Sequence, residues 1–231
     1  MRYNPLMNIA PIAHIKTDFP EKFGTPRQSG LVPSLGVIEF EDEYRNEESV
    51  RGLSGFSHIW LIWGFSENEE GKWHPTVRPP RLGGNERVGV FATRSPFRPN
   101  ALGLSSVRLV EIRKGPMLVV EAPDMVSGTP IYDIKPYVPY SDCHIDALSG
   151  FTGEERHFKR LEAVIDDELG KELGEACQVL KRVLEEDPRP AYHQDPERVY
   201  RMRFSAWDIA FRVEDGKAIL LKASKAGDKE A

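Results

Sequence analysis

From residue 35 onward the apolar positions come in short runs and alternations, punctuated by glycine and proline. Gly36 to Phe40 makes a short strand. Phe56 to Phe65 is nearly continuously apolar and aromatic, lacks a helix start signal, and reads as a buried central strand. Gly71 to Asn85 holds Pro75, Pro79, Pro80, Gly83 and Gly84 and reads as a long loop. Val88 to Ala92 is a further strand. Gly103 to Arg113 and Met117 to Glu121 form a hairpin turning at Lys114-Gly115-Pro116, and Ile131 to Lys135 is extended. Short strands with Gly/Pro turns predict a mainly β N-terminal domain over residues 1–147, a small barrel or sandwich.

The period then changes. Residues 148–231 read as a smaller α+β domain. Thr152-Gly153-Glu154-Glu155 has the capping-box form, and Phe158, Leu161, Val164, Ile165, Leu169, Leu173, Ala176, Leu180, Val183 and Leu184 follow at helical spacing. Gly170 and Gly174 divide that run, and Asp187-Pro188-Arg189-Pro190 ends it. Val199 to Phe204, Trp207 to Val213 and Ala218 to Leu221 alternate as strands, the last two joined by the hairpin pair Asp215-Gly216.

Charge sharpens the picture. The net charge is −5, yet between residues 72 and 108 the basic residues Lys72, Arg78, Arg81, Arg87, Arg94, Arg98 and Arg108 face the single acid Glu86. A local basic patch on an acidic body suits an anionic partner met at one face. Cys143 and Cys177, without C-x-x-C spacing, point to reduced thiols and a cytoplasmic setting. No apolar span of membrane length and no secretory leader is visible. There is no G-x-G-x-x-G, no G-x-x-x-x-G-K-[ST], no H-E-x-x-H and no G-x-S-x-G, so dinucleotide, phosphate-loop, zinc-protease and serine-hydrolase readings lose support, and no metal site is expected.

Chemistry therefore falls to loops on the barrel. In Thr93-Arg94-Ser95-Pro96-Phe97-Arg98-Pro99-Asn100, two prolines fix φ and hold Ser95 and Phe97 extended, so the loop is stiff before a ligand arrives. Its arginines can take a carboxylate or phosphate; alternatively, one braces the loop through its carbonyls. In the extended piece, Asp133, Lys135 and Tyr137 share a face opposite Ile134. They could position and deprotonate a polar substrate, or merely form an ion-paired surface strand. Asp187 to Tyr192 is a helix stop, or presents Arg189 and Tyr192 to RNA.

Pro26-Arg27-Gln28, Gly55 to Trp60, Arg78-Pro79-Pro80-Arg81-Leu82-Gly83-Gly84, Gly89 to Leu104, Gly128 to Pro139 and Asp187 to Tyr192 together resemble the TrmO (YaeB-like) family of tRNA methyltransferases. The resemblance spans most of the chain. It implies S-adenosylmethionine as methyl donor, bound by a non-Rossmann β-barrel in a homodimer. It also implies N6-methylation of threonylcarbamoyladenosine at tRNA position 37, in the anticodon arm. Donor contacts carry over to Pro26, Arg27, Gln28, Ser66, Glu67, Arg94, Leu104, Ser127, Gly128, Thr129 and Pro130. The family pattern has histidine where this chain has Ser66, and aspartate where it has Ser127. Asp133 is then the expected proton acceptor, with Lys135 and Tyr137 orienting the substrate, and Arg81, Arg98, Arg189 and Tyr192 contacting tRNA. A non-catalytic RNA- or nucleotide-binding module, or a methyltransferase with another substrate, remain the alternatives on the residues alone.

Overall fold

The computed structural model describes residues 8–67, 73–153, 160–190, 193 and 195–227. Its first half is a closed antiparallel barrel. Strands β1 (Ala13–Lys16), β2 (Leu35–Phe40) and β3 (His58–Gly64) precede a small ribbon, β4 (Thr76–Val77) with β5 (Val88–Gly89). After it come β6 (Leu102–Arg113), β7 (Met117–Glu121) and β8 (Thr129–Pro136). The barrel runs β1-β2-β7-β6-β3-β8, and β8 pairs back onto β1 so that no edge is left open. Ile15, Ile38, Ile59, Leu61, Leu118, Val120 and Ile131 fill it, each at 0% exposure, and each such side chain contributes roughly 1.5–3 kcal/mol by leaving water. Short strands and tight turns place a mainly β fold here, as the sequence pattern predicts.

Three details in this half depart from the pattern. Strand β1 has no strong apolar signal of its own and is recruited by pairing with β2 and β8. Of Val88 to Ala92, only Val88–Gly89 pairs; Val90–Ala92 turns as a 3-10 segment, because Thr93 donates both N–H and hydroxyl to the Val90 carbonyl. The expected loop likewise contains β4 and a 3-10 turn at Pro80–Leu82.

A single irregularity sets the outward chemistry of β8. Trp63 pairs with Ile131 but Ile62 pairs with Asp133, leaving Tyr132 as the extra residue of a bulge. Side chains alternate along a strand, so without this bulge Asp133 would share the inward face of Ile131. With it, Ile134 turns toward the core and Asp133 outward. Gly64 makes room: a Cβ there would lie 2.8 Å from the Tyr132 ring.

After the barrel comes the short α1 (Pro139–Asp142), then β9 (Glu162–Val164), α2 (Asp167–Leu173), α3 (Ala176–Glu185), β10 (Tyr200–Phe204), β11 (Trp207–Glu214) and β12 (Lys217–Lys225). The sheet order is β10-β11-β12-β9, with β9 parallel to β12. The helical run predicted through Leu161, Val164 and Ile165 is corrected here: Glu162–Val164 is a strand on the sheet edge. Its backbone pairs with Lys217–Ile219, which local apolar spacing does not encode. The helix begins only at Asp166, whose carboxylate accepts from the N–H groups of Glu168 and Leu169. Glu154 and Glu155 of the expected capping box, and Phe158, lie outside the described residues. The break before α3 falls at Gly174, φ 55°. Asp215 and Gly216 both have positive φ, 48° and 77°, as a tight hairpin requires.

The two cores are tied by the β1–β2 connection. Phe19 and Val32, 1% exposed each, sit in the second core with Phe204, Phe211 and Leu180, and Phe23 stacks on Tyr200. The Ser205 N–H donates to the Asp18 carbonyl, and the Arg203 N–H to Glu21 Oε1. Among the described residues no helix is long and apolar enough to cross a membrane, and no group of three His, Cys, Asp or Glu side chains converges as a metal site.

Candidate functional site

The β1–β2 connection that stitches the cores also carries Pro26-Arg27-Gln28 to one end of the barrel. Pro26 is buried, Arg27 exposed and Gln28 half-buried. Gln28 Oε1 accepts from Arg94 Nη1 at 2.5 Å, and Gln28 Nε2 donates to the Arg27 carbonyl at 2.6 Å. Arg27 Nη2 in turn donates to the carbonyls of Asp187 and Arg189, at 3.0 and 2.8 Å. Three segments far apart in sequence therefore form one hydrogen-bonded chain, from the cationic loop to the helix stop of the second core.

The two loop arginines have different settings. Arg94 is exposed, with Gln28 as the partner that aims it. Arg98 donates to the carbonyls of Thr93 (2.6 Å) and Val90 (3.2 Å) and lies over the Phe91 ring, 5.6 Å from its centroid. This is the bracing role open to one of the pair. Arg189 is also turned inward: its side chain is 14% exposed and bonds both oxygens of Asp187, at 2.7 and 2.9 Å. Arg81 lies on the turn Pro80–Leu82, its side chain outside the described positions, and Tyr192 is outside the described residues.

A buried relay that sequence reasoning missed backs this end. Trp63 Nε1 donates to Ser105 Oγ at 3.0 Å, and that hydroxyl donates to Asp124 Oδ1 at 2.6 Å. Burial pushes the Asp124 carboxyl above its usual range, against the pull of the Ser105 hydroxyl, backbone N–H groups including that of Ser29, and the Arg94 charge. Asp124 thus touches the loop bearing Gln28 and the field of Arg94. In sequence it is only an acid after Pro123 in a turn, and nothing local marks it.

Ser127 to Pro130 leads into β8 beside the same connection. The Gly128 N–H donates to the Ile15 carbonyl, and the Ser127 N–H to that of Phe19. Ser127 Oγ accepts from the Thr17 N–H, and Thr129 Oγ1 donates to the Val126 carbonyl. Gly128 has φ 88° and open space where a Cβ would be, so a ligand could approach its backbone closely. Ser66 and Glu67 are exposed in the turn after β3, whose last strand-side contact is the Phe65 N–H to the Ala101 carbonyl.

The remaining residues face outward on the barrel wall. Leu104 and Asp133 flank Ile62 on its two sides, and Ser106 and Lys135 flank Trp60. Lys135 Nζ lies 2.8 Å from Asp133 Oδ2, and Asp133 Oδ1 accepts from the Ile134 N–H. Tyr137 packs against the rings of Trp60 and His58. Desolvation, then the nearby Cys143 and Asp142, raises its phenol above the ordinary value. Asp133 and Lys135 are thus ion-paired, Tyr137 lies against Trp60, and Leu104 shares this wall rather than the Gln28–Arg94 cluster.

Fold and site define a β-barrel protein with a polar, cationic end and a carboxylate–ammonium pair, followed by a phenol, on the adjoining wall. Residues 14–143 match the tRNA-methyltransferase O N-terminal domain, and residues 159–226 match the TrmO C-terminal domain. The tRNA (adenine(37)-N6)-methyltransferase of Escherichia coli K12 is 39% identical over 217 residues, 88% of this chain and 92% of its own. A Pseudomonas aeruginosa relative named for S-adenosylmethionine-dependent methyl transfer is 39% identical over 213 residues, 87% of this chain and 90% of its own. The crystal structure of TrmO from Pseudomonas aeruginosa matches with a TM-score of 0.76 at 29% identity, over 95% of this chain and 99% of that one. The chain belongs to the tRNA-methyltransferase O family.

Proposed function

We propose that this protein moves a methyl group from S-adenosylmethionine to N6 of an adenine in tRNA. The acceptor is threonylcarbamoyladenosine at position 37, presented by the anticodon arm. Beside family membership, one observation carries the reading: Gln28, Arg94 and the Ser105–Asp124 pair, remote in sequence, meet at one barrel end.

The residues there fit such a donor. A zwitterionic nucleoside needs a cation for its carboxylate, amide and backbone partners for its polar edges, and apolar surface for its ring. At this end Arg94, Gln28 and the open backbone at Gly128 offer the first two, and the 54% exposed Leu104 on the adjoining wall offers the third. When bound, the donor would supply an electrophilic methyl carbon, whose bond to sulfur breaks as the bond to nitrogen forms and leaves a neutral thioether. Arg94 takes the carboxylate, Pro26 to Gln28 and Ser127 to Pro130 line the nucleoside, and Ser66 and Glu67 border it. Asp124 and Ser105 hold the Gln28 loop and Arg94 in place from beneath. Arg98 keeps the loop stiff, so little ordering entropy is lost on binding.

On the wall, Asp133 accepts the proton that N6 releases as its lone pair attacks. The nitrogen is conjugated with purine and carbamoyl groups and is a poor nucleophile while it keeps that proton. Lys135 holds the threonyl carboxylate, and Tyr137 donates a hydrogen bond to the base. Arg81 and Tyr192 contact the tRNA, while Arg189 acts as a brace on Asp187. Leu102, Leu104 and Val110, 36%, 54% and 47% exposed on β6, supply an apolar seat for a second copy, and the working unit is a cytoplasmic homodimer.

Mass spectrometry of tRNA nucleosides from cells with and without the protein tests the reaction: the methylated nucleoside is expected only with it. Asp133→Asn is expected to lower turnover at least about 100-fold, the scale of general-base catalysis, with donor and tRNA affinity kept. Undiminished turnover in that variant would remove Asp133 from the role.

A further inference from the structure

Around the stiff loop, three large aromatic side chains are left in water: Trp73 at 49% exposure, Phe91 at 73% and Phe97 at 39%. The segments that carry them are tied together. The His74 N–H donates to the Phe97 carbonyl and its ring packs on Phe97, while the Val90 N–H donates to the Pro75 carbonyl. The Arg98 guanidinium lies over Phe91 and ties it to the braced turn. Ordinary loops bury such side chains or replace them with polar ones, since each exposed ring leaves apolar surface wetted. Here the backbone is held so that they stay out.

The surroundings select the partner. Arg78 and Arg87 are exposed and flank the β4–β5 ribbon that joins these segments, in a stretch, residues 72–108, whose single acid is Glu86, within a chain whose net charge is −5. Arg87 is steadied by Thr76 Oγ1 at 3.1 Å. Flat apolar rings interleaved with guanidinium groups suit a ligand with π-faces and regularly spaced negative charges, which describes unpaired RNA. A duplex hides its base faces and would use only the arginines. A purely apolar protein partner would leave those cations desolvated.

We infer that Trp73, Phe91 and Phe97 form a stacking platform for unpaired bases of an RNA strand, with Arg78 and Arg87 following its phosphates. The inference rests on the RNA-acting function proposed above and assigns the surface by which the strand is held. It separates the holding of the strand from the outward wall, where Asp133 stands.

The test uses the full-length protein, a labelled RNA of about ten nucleotides without self-complementarity, and the same strand annealed to its complement. Phe91→Ala and Phe91→Leu are expected to weaken single-strand binding about tenfold, while Phe91→Tyr, which keeps a ring, binds like the parent. Duplex affinity and calorimetric affinity for S-adenosylmethionine are expected to stay unchanged in all three. Single-strand binding should quench tryptophan emission in the parent and markedly less in Trp73→Phe. Unchanged single-strand affinity in Phe91→Leu, or equal losses for single strand and duplex, would overturn the inference. So would a loss that tracks dissociation of a dimer in sedimentation. Methyl transfer that is absent while ring-dependent binding persists counts against the enzymatic reading alone; transfer that persists without ring dependence counts against the platform alone.

Discussion

Gly103→Ala probes the packing on which the binding end rests. A Cβ at residue 103 would lie 2.2 Å from Trp63 Cε2, 2.4 Å from Cζ2 and 2.6 Å from Cδ2, whereas ordinary contact begins near 3.4 Å. The difference, 3.4 minus 2.2, means the indole must slide by about 1.2 Å. It has little room, being 7% exposed with the Phe65 ring centroid 4.4 Å away. A slide of that size also disrupts the 3.0 Å hydrogen bond from Trp63 Nε1 to Ser105. Overpacking costs about 1–3 kcal/mol and the lost hydrogen bond about 1 kcal/mol, so the barrel should lose about 2–4 kcal/mol. For a chain of this length that is a fall in melting temperature of roughly 4–16 °C. Because Ser105 in turn holds Asp124, affinity for S-adenosylmethionine should fall as well, read by calorimetry well below the melting point. Trp63→Phe removes part of the colliding ring, so the double variant should be less destabilised than the two singles summed, by about 1 kcal/mol or more. Strict additivity, or a Gly103→Ala melting point within about one degree of the parent, would refute the packing argument.

The loop arginines should separate in their effects. Arg98→Met is expected to cost about 1–2 kcal/mol in thermal unfolding, because the Thr93 carbonyl loses its Arg98 donor and the Val90 carbonyl one of its three. Arg94→Met should leave stability within about 0.5 kcal/mol while weakening donor binding at least about tenfold. Asp18, at the tie between the cores, has its carboxyl raised above 3.8 by burial, with a Ser205 hydrogen bond opposing. A raised folded value means that its contribution to stability is complete below 3.8 and is lost as pH rises through the folded value. Asp18→Asn should therefore melt higher than the parent near neutral pH, with the gap closing as the solution is acidified. A parent that is the more stable form at neutral pH would contradict this.

Much of the fold was legible because strand signals are local. Alternation in Gly36 to Phe40 and the apolar run through Trp60 announce buried strands whatever they pair with. Lys114-Gly115-Pro116 and Asp215-Gly216 force reversals through their own φ preferences. Part of the stiffness of the Arg94 loop follows from Pro96 and Pro99, and the shared face of Asp133 and Lys135 from strand period. What required the folded chain were quantities set by distant partners. Leu161 to Ile165 fits a helical period as well as a strand, and the edge of β12 decides between them by pairing with Glu162–Val164. Whether Asp133 points out or in hangs on a bulge at Tyr132, which exists because β3 and β8 differ by a residue in register. Arg98 and Arg189 become braces only because Thr93, Val90 and Asp187 stand within reach. Asp124 is an ordinary turn acid until Ser105, Ser29 and Arg94 surround it and water is excluded. Composition and spacing determined which elements this chain would make. Desolvation and hydrogen bonding between segments remote in sequence, which act only after collapse, decided which of its polar groups would face a ligand.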